Sequence, residues 1–64
     1  MGTLLQNAKI LGVEVHDCYD DTTRFFPIGS KVDDPFDRAL VNLVYEHHEC
    51  ITQGSFVASF RYSN

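Results

Sequence analysis

The sequence has no tryptophan, one methionine, two prolines and two cysteines. Two cysteines are too few for a disulfide scaffold, so a secreted mini-protein stapled by several bridges is excluded, and Cys18 and Cys50 fit a reducing compartment. Cations are scarce as well. Five Lys and Arg stand against nine Asp and Glu, a formal net charge of −4. A direct nucleic-acid binder needs a basic face to displace counterions from phosphates, and that class falls away. No apolar run approaches the ~20 residues of a membrane span. Met1-Gly2-Thr3-Leu4-Leu5 lacks the basic flank and long apolar stretch of a secretory signal. Gln6 stands where N-myristoylation requires Ser or Thr. These absences make the cytoplasm the expected location. There is no Gly-rich phosphate loop, no Gly-x-Ser-x-Gly elbow and no His-Glu-x-x-His pair, so no familiar catalytic device is present and no cofactor is expected.

The chain has 64 residues, which is room for one domain, 1–64. A chain of this size buries roughly 60% of its unfolded surface, so its core is thin. With no tryptophan, the five Phe and three Tyr are expected to supply much of the apolar bulk. A deep substrate pocket would hollow out that small core, which weighs against an enzyme.

Hydrophobic periodicity predicts four elements. Leu11, Val13 and Val15 alternate with Ile10, Gly12, Glu14 and His16, the period-2 pattern of a strand over 9–16. Asp17 to Asp21 form a polar turn. A second strand runs over 22–28, with Phe26 and Ile28 on one face and Phe25 and Pro27 on the other. Pro27 cannot donate a ladder hydrogen bond, which places this strand at an edge. Asp34 is a good N-cap, Pro35 suits the first helical position and Asp37 complements the helix dipole. Phe36, Ala39, Leu40, Leu43, Val44 and His47 then recur at helical spacing, with Val41 and Tyr45 off the stripe. The helix should end near His48 or Glu49. The residues from Glu49 to Gly54 read as a loop, and a last strand spans 55–62.

The predicted fold class is α+β. It has β-β-α-β order, a three-stranded antiparallel sheet in the order 2-1-3, and one helix packed on one face. In that layout the helix climbs from the bottom of the sheet and ends at the pole where the first strand ends. The turn at 17–21 and the loop at 49–54 then become neighbours.

Two surfaces and one cluster follow from this layout. Glu14, Asp17, Asp20, Asp21, Glu46 and Glu49 gather at one pole, with Tyr19 among them as an aromatic anchor. A dense negative surface of this kind steers toward a basic partner. The second surface is the open sheet face, where Phe25 lies with Ile10, Pro27 and Val57 among Glu14, His16 and Arg61. That face suits a protein partner or a homodimer. The pole would also bring His16 and Cys18 to His47, His48 and Cys50, residue types that zinc takes in tetrahedral geometry. The spacing matches no standard zinc motif, so no metal is expected, and His16, Cys18, His47 and Cys50 read better as ordinary surface and core-edge residues with the two thiols unlinked.

A hairpin followed by a helix and a final strand is shared by many small unrelated proteins, among them some phage-encoded inhibitors of host enzymes. That likeness is architectural and names no site residue. The functional expectation is a non-enzymatic inhibitor or adaptor that binds a protein. Its most concrete form is a phage-type antagonist, such as an anti-CRISPR, whose acids occupy a nucleic-acid groove of the target. The alternatives are a small metal- or thiol-dependent domain and a homodimeric module.

Overall fold

A computed structural model describes residues 9–63. The readings made on Met1-Leu5 and Gln6 lie outside the described residues. The fold is α+β, with one helix against one face of an antiparallel sheet. The elements are β1 (Ile10–Asp17), β2 (Thr22–Pro27), α1 (Pro35–His47), β3 (Ile51–Gln53) and β4 (Phe56–Tyr62).

The sheet has four strands in the order β2-β1-β4-β3, where three were expected. The expected 2-1-3 core is present as β2-β1-β4. The extra strand is β3, which pairs Ile51 with Ala58 and Gln53 with Phe56 along the outer edge of β4. Its origin is the direction of the helix. Ring centroids of Phe36 and Phe56 lie 4.8 Å apart, and Phe56 pairs with Asp17. The helix therefore starts at the hairpin-tip end of the sheet. It descends until Tyr45 and His48 meet Phe60, which pairs with Val13 lower on β1.

This reverses the expected polarity. β2 ends at the bottom, where Pro27 pairs with Gly12. The seven residues 28–34 then climb back before the helix begins, and seven extended residues reach about 23 Å. After the helix has come down, the chain must climb again to start β4 at the top. It does so as a strand because residues 51–53 run beside the unpaired edge of β4, and Ile51 packs against the core cluster.

The helix is capped as the sequence predicts. Asp34 Oδ2 accepts from the Asp37 N–H at 2.9 Å, and Pro35 sits in the first turn. His48 closes the helix in the left-handed region (φ 53°), its N–H donating to Val44 O at 2.8 Å. The buried stripe is Asp37, Leu40, Val41 and Val44. Phe36, Ala39 and His47, expected on that stripe, are exposed. The helix is rotated because Asp37 points inward, 97% buried, where the Arg24 guanidinium from β2 donates to it at 2.8 Å. An acid in the buried stripe contradicts the polar-out rule, so hydrophobic spacing alone misplaces the face.

β1 departs from simple alternation too. Its register with β4 slips between Ile10 and Gly12, so that Ile10 pairs with Tyr62 and Gly12 with Arg61. Val13 and Val15 are buried as expected, but Leu11, the residue at the slip, is 46% exposed. By the same register Ile10 leaves the open face and takes the parity of Tyr62 and Phe60.

The fully enclosed core is aliphatic: Val13, Val15, Leu40, Val41, Val44 and Ala58. The aromatics expected to fill it form its margin instead, with Phe26, Phe56 and Phe60 packed against it beside Val32 and Ile51. Two layers this thin have room for valines between sheet and helix, and the larger rings close the rim.

Candidate partner-binding surface

The β1–β2 turn is tied to the body of the protein at nearly every residue. Asp17 Oδ1 accepts from the Tyr19 N–H at 2.9 Å and from the Ser55 hydroxyl at 3.0 Å. The Cys18 N–H donates to Ser55 O at 2.8 Å. These bonds join the tip to the turn between β3 and β4. Asp20 Oδ1 accepts from the Thr22 N–H at 3.2 Å and from its hydroxyl at 2.7 Å. The Thr22 hydroxyl is the main reason the Asp20 carboxyl is held below its ordinary value; desolvation opposes it without reversing it. Asp21 takes the left-handed conformation (φ 58°), which Asp tolerates better than most residues, and its carboxylate lies 3.3 Å from His16 Nε2. His16 Nδ1 lies 2.8 Å from Thr23 Oγ1.

Tyr19 stands at the apex of this turn with 89% of its surface exposed, the highest exposure of any large apolar side chain described. The backbone beneath it is fixed while the ring itself projects into solvent. That combination suits insertion into a partner, since little backbone freedom is lost on binding.

The expected pole therefore divides. Asp17, Tyr19, Asp20 and Asp21 come together at the tip. Glu46 and Glu49 do not join them, because the helix runs the other way and carries them to the opposite end. In their place the helix start, with Asp33 and Asp34, belongs to the tip's end of the molecule. Lys31 Nζ lies 3.9 Å from Asp33, and Arg38 donates to the carbonyls of Val32 and Asp33. Glu14 faces the open side of the sheet, 3.6 Å from Arg61 Nε.

The open face is more polar and more internally paired than its sequence suggests. Phe25 lies over Gly12, and the Arg61 guanidinium sits 5.3 Å from the centre of its ring. Glu14, His16, Thr23, Val57 and Ser59 occupy the neighbouring register positions.

The histidine and cysteine clusters are parted by the same reversal of the helix. His16 and Cys18 stay at the tip; His47, His48 and Cys50 follow the helix to the other end. Both cysteines are exposed and unlinked. Among the described residues, no three His, Cys, Asp or Glu side chains converge as metal ligands would. No described helix is long and apolar enough to cross a membrane.

Sequence reasoning missed Ser55, which anchors the tip from 38 residues away, and Thr22, which brackets Asp20. Thr22 was within reach, since Asp-x-Thr is a local side-chain capping pattern. Ser55 depended on knowing that β3 and β4 turn beside the tip. No protein-family model, curated protein or solved structure matches this chain.

Proposed function

We propose that this protein is a non-enzymatic binding module, an inhibitor or adaptor that presents its β1–β2 tip to a basic surface on a protein partner. The observation that carries the reading is Tyr19, the most exposed large apolar side chain described, held on a turn whose other groups are tied down and flanked by Asp17, Asp20 and Asp21. Tyrosine is among the residues enriched at binding hot spots. Carboxylates at the rim raise association rates with cationic partners. A surface that ordinarily binds nucleic acid is the partner type best matched by charge. A phage-type antagonist, such as an anti-CRISPR, is the most concrete member of that class, acting in the cytoplasm with no cofactor. In this version the acids that enter the groove are the three tip aspartates, Asp17, Asp20 and Asp21, supported by Asp33 and Asp34.

Two of the three aspartates also hold the turn, so the test avoids reversing their charge. Asp20→Asn and Asp21→Asn keep an acceptor oxygen and tolerate the turn's backbone; Tyr19→Ala removes the anchor. Proteins captured from the native host's lysate by the unmodified chain should be lost by the triple variant and displaced by added duplex DNA. Retention of the same proteins by the variant would remove the tip from the reading.

A further inference from the structure

We draw no further inference here: the strongest candidate, the outer edge of β2, which ends the sheet with Thr22 to Phe25 exposed, carries nothing, because nothing in the structure shows what would cover it.

Discussion

Asp20 shows how a side chain that touches only its own turn shapes the surface around it. The Thr22 hydroxyl donates to its carboxylate and lowers its pKa. A depressed carboxyl contributes stability above its unfolded value, about 3.9, and that contribution is lost as pH falls through the folded value. The Asp20 carboxyl carbon should therefore titrate below the ordinary Asp midpoint when followed by nuclear magnetic resonance. In Thr22→Val the midpoint should rise toward the ordinary value. An unchanged midpoint would mean that the bracket does not persist in solution. Gly12 is a second residue with a narrow requirement. A Cβ there would collide with the Phe26 carbonyl oxygen and approach Pro27 Cα to 2.8 Å, both of them backbone atoms that cannot swing aside. Gly12→Ala should cost about 2–3 kcal/mol in denaturant unfolding, the upper part of the range for forced overpacking. A variant as stable as the parent would show that the two strands do not approach this closely.

Among the elements, α1 depends most on polar contacts. Its cap should be worth about 1 kcal/mol, read as the loss on Asp34→Ala in thermal or denaturant unfolding. Its inward face depends on Asp37 and Arg24. Removing the guanidinium by Arg24→Met leaves a buried carboxylate without its donor. Arg24 is half exposed, so the loss should fall below that of a fully buried pair, at about 1–3 kcal/mol. A loss within 0.5 kcal/mol, roughly the spread of neutral surface changes, would show that water replaces the arginine. Much of α1 was legible in the sequence, because capping chemistry is local: Asp34, Pro35 and the end near His48 all stand where the residues place them. Its rotation and direction were not. Both depend on contacts between distant residues, Arg24 with Asp37 and Phe36 with Phe56, that no local pattern encodes. The third strand escaped for a related reason. Residues 51–53 are too few to show a period, and they pair only because the helix has left the chain at the wrong end to begin β4.

At the scale of the molecule, the direction of one helix decides what the surface presents. Had α1 climbed, acids, histidines and cysteines would share a single pole. Because it descends, the protein has two different ends. One is an acidic hairpin tip with a bare tyrosine; the other is an aromatic cluster beside Glu46 and Glu49. The tip residues Asp17, Tyr19, Asp20 and Asp21 were legible as a group, since they are contiguous in the chain. The assignment of Glu46 and Glu49 to the same surface was inherited from the helix direction and fell with it. The open face, where Arg61 and Glu14 already engage each other above Phe25, is the rival contact surface. Hydroxyl-radical footprinting of the protein, free and captured on its host partner, separates the two most directly. The account predicts that Tyr19 becomes protected in the complex while Phe25 keeps its free-state reactivity. Protection of Phe25 with Tyr19 still fully reactive would contradict it.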